Sequence, residues 1–250
     1  ISDTITVFHI PDAHFTLSTN PLCAPDTITV TDESITGNTL YYSWDISPTT
    51  GTNILDPTLS TTDISFEDNQ SGTSNMYDII LTVTGQITTC TNTDTIEVEL
   101  WTRPISDFDI DPFTCGPATL SIINNSQFAT AIPPLDFSWD IINQATGWNI
   151  VGQYDSLPSF EFDENLGPDS ILYILELTTQ TDNGCTDVIT DTVTVYPTPL
   201  ISFTPIDTTN CGPWTITFDN TSNAQNNEDT VSMQFQWLVD GQVVANTSTL

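Results

Sequence analysis

Tyr42-Ser43-Trp44-Asp45-Ile46 returns as Phe137-Ser138-Trp139-Asp140-Ile141 and, in a diverged form, as Phe235-Gln236-Trp237-Leu238-Val239. The three tryptophans stand 95 and 98 residues apart. A fixed period of that size marks a domain copied in tandem. In each copy apolar and polar residues alternate around the Trp, as in a strand with one buried face. Trp44, Trp139 and Trp237 are therefore expected to anchor the cores of small β-sandwiches.

The rest of the repeat hangs on that strand. Asp94-Thr95-Ile96-Glu97-Val98 and Asp191-Thr192-Val193-Thr194-Val195 share the pattern of residues 1–9. Each precedes a proline-bearing junction, at Pro11, at Pro104, and at Pro197 with Pro199. This pattern reads as a closing strand, so residues 1–9 are the last strand of a preceding repeat. One repeat then spans 10–101, a second spans 102–197, and 198–250 holds the N-terminal part of a third, truncated repeat. Phe15, Phe108 and Phe203 open the copies. Thr27-Ile28-Thr29-Val30 follows, and beyond the Trp strand come Ile64-Ser65-Phe66 and then Tyr77, Ile79, Leu81 and Val83 in alternation. Roughly seven short strands per copy, with turn residues between them and no helical period, predict an all-β fold. Its architecture would be tandem immunoglobulin-like sandwiches arranged end to end. A sandwich of ~95 residues buries only about two-thirds of its unfolded surface, so covalent cross-links would reinforce a modest core.

The charge balance narrows the function. Thirty-three acidic residues face a single cation, Arg103, for a net charge of −32. Phosphate backbones are bound by Lys and Arg, so nucleic acid is excluded as a partner, and so is docking on anionic lipid. Charged residues make up only 14% of the chain and hydrophobic ones 38%, which describes folded domains with a Thr-, Ser- and Asn-rich surface. No apolar run approaches the roughly 20 residues that a spanning helix needs, so no membrane insertion is expected. The residues given show no signal-peptide pattern, and an export signal and anchor are expected to lie outside them. Opening on a closing strand and stopping inside a copy, the chain reads as an excerpt of a longer polypeptide.

The five cysteines follow the period. Cys23, Cys115 and Cys211 precede the second strand of their copies, and Cys90 and Cys185 precede the last. With no CxxC and two histidines, zinc is disfavoured and extracellular disulfides are expected. Two pairings remain open. Bonds within each copy would join Cys23 to Cys90 and Cys115 to Cys185. The two loops lie at opposite poles of a Greek-key sandwich, however. A strand of eight to ten residues spans about 26–33 Å, whereas a disulfide needs Cα atoms within about 7 Å. End-to-end stacking would instead pair Cys23 with Cys185 of the next copy.

Phe108, Cys115-Gly116-Pro117, Ser138-Trp139-Asp140, Tyr173-x-Leu175-x-Leu177, Gly184-Cys185-Thr186-Asp187 and Asp191-Thr192-Val193-Thr194-Val195 together resemble the PKD-like immunoglobulin-like repeats of giant secreted Bacteroidota proteins. The resemblance covers nearly the whole chain. It departs at the family's Trp-Asp-Phe-Gly-Asp-Gly turn, which here reads Trp44-Asp45-Ile46-Ser47-Pro48 and Trp139-Asp140-Ile141-Ile142-Asn143. It implies an extracellular, cell-surface setting and a role in adhesins, including those of gliding motility. It also implies O-glycosylation at Asp-Ser/Thr sites, here Thr4, Thr27, Thr95, Ser156, Ser170, Thr192, Thr208 and Thr230. Against this stands the plain reading that Asp-Thr-Ile opens a strand well.

Chemistry has little foothold. His9 and His14 have no counterparts in later copies and read as linker residues, and no carboxylate pair occupies a recurring place. Catalysis and cofactors are not expected. Asp107, Asp109 and Asp111 alternate beside a junction, where a solvated acidic edge is the first reading and bound Ca2+ the second. Asn-x-Ser/Thr at Asn69, Asn124, Asn220 and Asn246 is explained by a Thr-rich composition.

The function read from the sequence is a structural repeat segment of a long extracellular filament or adhesin stalk, stiffened by disulfides. Its partners would be neighbouring repeats, other copies in a filament, and surface polysaccharide. The alternative is a carbohydrate-binding accessory module of a secreted hydrolase, with Trp101, Trp148 and Trp214 stacking on sugars.

Overall fold

The computed structural model describes residues 8–37, 39–128, 135–143, 145–206, 209, 211–213, 215–223 and 234–245. Most of the closing strand read at 1–9, as well as Trp214, Thr4, Thr208, Thr230 and Asn246, lies outside the described residues. Among the described residues every regular element is a β-strand.

In the first repeat the alternating stretches become β1 (Phe15–Leu17), β2 (Leu22–Cys23), β3 (Asp26–Asp32), β4 (Leu40–Ser47), β5 (Thr52–Ile54), β6 (Thr61–Phe66), β7 (Asn75–Gly85) and β8 (Thr91–Trp101). They form two four-stranded sheets, β1-β3-β6-β5 and β2-β8-β7-β4. Alternation does the sorting. Ile28, Val30 and Ile64 from one sheet, and Ile79, Leu81, Val83 and Val98 from the other, are completely buried, while the Thr and Asp residues between them face outward. Trp44 is 3% exposed and opposite Leu81 in the β4–β7 register. It meets the Phe15 ring edge-on at 5.0 Å, and its Nε1 donates to the Leu59 carbonyl at 2.7 Å. Burying a side chain of this size hides about 150–250 Å2, worth about 4–6 kcal/mol at roughly 25 cal/mol per Å2.

The second repeat contributes β9 (Phe108–Asp109), β10 (Phe113–Cys115), β11 (Ala118–Ser121), β12 (Ile123–Asn124), β13 (Asp136–Ile141), β14 (Trp148–Val151), β15 (Ser159–Phe162), β16 (Ile171–Gln180) and β17 (Thr186–Tyr196). The sheets are β10-β17-β16-β13, β11-β15-β14 and the pair β12-β9. Trp139 is fully buried, 5.0 Å from Phe108, and its Nε1 donates to the Asp155 carbonyl at 3.0 Å. Tyr77 and Tyr173 likewise donate to the carbonyls of Thr50 and Thr146. Burial, aided by the nearby Asp163, raises the Tyr173 hydroxyl above the usual tyrosine pKa.

The third repeat supplies β18 (Phe203–Pro205) paired with β19 (Phe218–Asn220), and the hairpin β20 (Trp237–Val239) with β21 (Gln242–Ala245). Its Trp237 is half-buried, 5.4 Å from Phe203 and 6.0 Å from Phe218.

Two features depart from the sequence expectation of roughly seven strands. The short edges β5 and β14 form between the Trp strand and the next strand, where the sequence pattern shows none, and pair with β6 and β15. The segments carrying Cys23 and Cys115 are themselves strands, β2 and β10, running parallel to the closing strands β8 and β17. A further threefold device fixes the entry of each copy. Ser34, Ser126 and Ser222 accept the backbone N–H of His14, Asp107 and Ser202 at 3.0–3.1 Å, and each hydroxyl donates back to the same residue's carbonyl.

The chain divides into two compact units: Ile1–Asp107 with Ser126–Phe137 and Thr178–Val188, and Phe108–Asn125 with Ser138–Leu177 and Ile189–Leu250.

Candidate functional site

The first unit gathers a connected set of side-chain interactions around Cys23. The parallel pairing of β2 with β8 sets Cys23 beside Trp101, and Ala24 N donates to the Trp101 carbonyl at 3.1 Å. Asn69, only 3% exposed, braces this edge. Its Nδ2 donates to the carbonyls of Thr73 (2.8 Å) and Leu100 (3.2 Å), and its backbone carbonyl accepts the Arg103 backbone N–H at 3.2 Å. A buried amide leaves no donor unpaired without cost, so Asn is required here for its two-donor geometry.

Arg103 is the single cation of the sequence. It grips Asp68 with two parallel bonds, Nε to Oδ1 at 2.8 Å and Nη2 to Oδ2 at 2.7 Å, and reaches Asp187 Oδ1 with Nη1. Forked pairs of this kind are strong and directional. The side chains of Arg103, Asp68 and Asp187 are 25%, 32% and 19% exposed, so water screens them only in part. The hydrogen bond from Arg103 holds the Asp68 carboxyl below the usual carboxylate pKa, against the opposing effect of burial. The second oxygen of Asp187 accepts Ser106 N–H at 2.8 Å. The Ser106 hydroxyl donates to the Asp187 carbonyl at 2.9 Å and lies 2.8 Å from Thr179 Oγ1.

Asp187 lies two residues from Cys185, and Cys185 is bonded to Cys23 with Cα atoms 5.4 Å apart. The bond joins a residue of the first sequence repeat to one of the second, 162 positions away. Cys90 and Cys115 are free thiols, so the within-copy pairs Cys23–Cys90 and Cys115–Cys185 do not form. The parallel edge strand explains why: it sets Cys23 against the end of β8, whereas Cys90 precedes its start. Cys90 is half-buried, and Cys115 and Cys211 are exposed.

The other expected sites are scattered. Asp107, Asp109 and Asp111 are all exposed, with Asp109 accepting from Asn125 Nδ2. Among the described residues no three His, Cys, Asp or Glu side chains converge where they could hold an ion. His14 Nδ1 lies 3.3 Å from Asp94 Oδ2, and His9 is exposed. Trp101 and Trp148 are half-buried, the latter with its Nε1 donating to its own hairpin at Ala145. Thr27, Thr95, Ser156, Ser170 and Thr192 are exposed. The amide of Asn69 is spent inside the protein, which excludes a glycan there. Among the described residues no helix is long and apolar enough to cross a membrane.

Sequence reasoning gave Arg103, Asp68, Asn69, Ser106 and Asp187 no role. For Arg103 the signal was present, because the one positive charge among so many acids stands at a repeat junction. The others are ordinary polar residues in a polar chain.

No family model and no curated protein sequence matches the chain. Solved structures do. The N-terminal eight Ig domains of Down Syndrome Cell Adhesion Molecule match over 86% of this chain and 28% of that one, at 14% identity and a TM-score of 0.51. This chain thus spans little more than a quarter of that structure's length. A three-Ig fragment of titin, domains I67–I69, matches over 94% of this chain and 81% of its own, at 9% identity and a TM-score of 0.39. The fold class is tandem immunoglobulin-like β-sandwiches.

Proposed function

We propose that the chain is a structural repeat segment of a long extracellular filament or adhesin stalk, working in surface adhesion or gliding motility. Residues 10–101, 102–197 and 198–250 would be its successive PKD-type repeats. The observation that supports this most is the Cys23–Cys185 bond, which ties one sequence repeat to the next. Such a bond restricts motion between repeats and requires an oxidising compartment. The acidic surface suits the same setting, since like charges keep adjacent stalks apart over a screening length of about 8 Å at physiological salt. A binding partner for such a segment would be the neighbouring repeats and other copies of the same chain. The carbohydrate-binding alternative is not favoured, because Trp101 and Trp148 offer only partly exposed rings.

Immunogold electron microscopy of intact source cells, with antibody raised against this chain, tests the proposal. Label should decorate extended surface structures. Label confined to the cytoplasm would overturn it.

A further inference from the structure

We propose that Arg103 is a positioning residue for the Cys23–Cys185 bond. By tying Asp68 to Asp187 it holds the turn bearing Cys185 against the strand bearing Cys23, so that oxidation selects these two thiols among five.

The selection needs a cause. Loop closure favours thiols that are near in sequence, with a probability falling roughly as the three-halves power of loop length. Cys90 and Cys115 are 25 residues apart, against 162 for Cys23 and Cys185. By closure alone the wrong pair is favoured roughly fifteen-fold. The folded contacts must overcome that bias, and they form a closed ring. Cys23 pairs with Trp101, the next residue back is Leu100, and Leu100 O accepts from Asn69. Asn69 adjoins Asp68, Asp68 binds Arg103, and Arg103 binds Asp187, two residues from Cys185. On the far side Ser106 fastens Asp187, and Thr181 Oγ1 accepts the Cys185 N–H at 3.2 Å. Without the guanidinium, Asp68 and Asp187 would face each other as bare like charges.

The neighbouring junctions supply the contrast. Arg103 and Thr198 occupy the same place, each donating its backbone N–H to the carbonyl of the buried Asn, Asn69 and Asn165. In the preceding junction the place belongs to Ile10, and Asn92 stands where Asp187 does, donating to Pro11 O. The cation and its second acid are thus present together at one joint and absent together at the one before. A pair that changes together acts as a key for that joint.

The step balances with a disulfide oxidant. The thiols of Cys23 and Cys185 and one oxidised glutathione give the Cys23–Cys185 bond and two reduced glutathione molecules. The reduced full chain is refolded in glutathione buffer, and its disulfides are mapped by mass spectrometry. The wild type should recover Cys23–Cys185 as its main bond. Arg103→Ala should lower the glutathione equilibrium constant for that bond about ten-fold and raise peptides containing Cys90. Arg103→Lys should restore part of the loss, and molar salt should move the wild type toward the alanine variant. Thr198→Ala serves as the control and should leave the pairing unchanged. If Arg103→Ala fails to fold, the lysine variant and the salt series decide. Wild-type pairing and an unaltered equilibrium constant in Arg103→Ala, or in those two arms, would overturn the proposal. The inference stands or falls independently of whether the chain is a surface stalk.

Discussion

The Cys23 edge of the first repeat and the Cys115 edge of the second share one backbone plan and differ in what it carries. Both set a cysteine on a short strand parallel to the closing strand, at Cys23↔Trp101 and Cys115↔Tyr196. Both are braced by a buried Asn, since Asn165 donates to Asp169 O and Val195 O just as Asn69 donates to Thr73 O and Leu100 O. Yet one cysteine is bonded and the other is a free, exposed thiol. Arg103 has become Thr198, whose hydroxyl turns inward to Gly116 O at 2.9 Å. The turns before the closing strands differ too. Gly184 takes a left-handed φ of 85°, and Thr89 is held at 55°, a conformation that a β-branched residue adopts only under strain. The backbone frame is thus common property of the repeat, whereas the identity of each joint rests on a few side chains.

The largest test removes the bond itself. Cys185→Ser should lower stability by about 5 kcal/mol in the chain-entropy picture for so long a loop, read from denaturant midpoints under oxidising conditions. If the loss stays below about 1 kcal/mol, the bond does not constrain the unfolded chain and the contrast between the two edges loses its main energetic content.

Next in size is the shared brace. Asn165→Ala and Asn69→Ala should each cost about 1–3 kcal/mol, because each strands one buried carbonyl, of Val195 or Leu100, without its donor. Equal losses in the two repeats would support a common frame; a large loss only beside Arg103 would show that the brace serves the joint. The third test exploits an asymmetry beside the cysteines. A Cβ on Gly116 would lie 2.2 Å from the Asp163 carbonyl oxygen, so Gly116→Ala should cost about 1–3 kcal/mol by calorimetry. The matching residue Ala24 is buried, and Ala24→Gly should cost only about 1 kcal/mol. Thr89→Gly should raise stability by up to about 1 kcal/mol, with relief of the left-handed strain offset in part by glycine's entropy. The smallest effect is acid sensitivity. Asp68 has a folded pKa below its unfolded value, so its contribution is fully present above about pH 4 and is lost as pH falls further. Asp68→Asn should flatten that limb of an acid titration.

The sandwich class was legible because it rests on alternation, which a long strand must display. Tyr77, Ile79, Leu81 and Val83 can be sorted to one face without knowing any partner. The strands β2 and β10 were not legible, since two or three residues beside a proline show no period. Parallel pairing with a strand some eighty residues away also leaves no local trace. The partner of Cys23 was not legible either, because no local pattern links a thiol to its neighbour across a repeat boundary. Asn69 even carries a glycosylation-like motif, Asn69-Gln70-Ser71, although its amide is consumed internally. Polar residues in a Thr- and Asn-rich chain give no hint of which few turn inward.

The bridge between Cys23 and Cys185 also sets how this segment answers a pull. Tension entering ahead of Cys23 and leaving beyond Cys185 passes through a single sulfur–sulfur link. The stretch between them, with a sequence separation of 162, cannot unspool even if both hydrophobic cores melt. At about 3.3–3.6 Å per extended residue, roughly 530–580 Å of tether stays out of reach until a reductant cuts the link. The length of this segment under tension is therefore governed by redox chemistry before it is governed by folding strength.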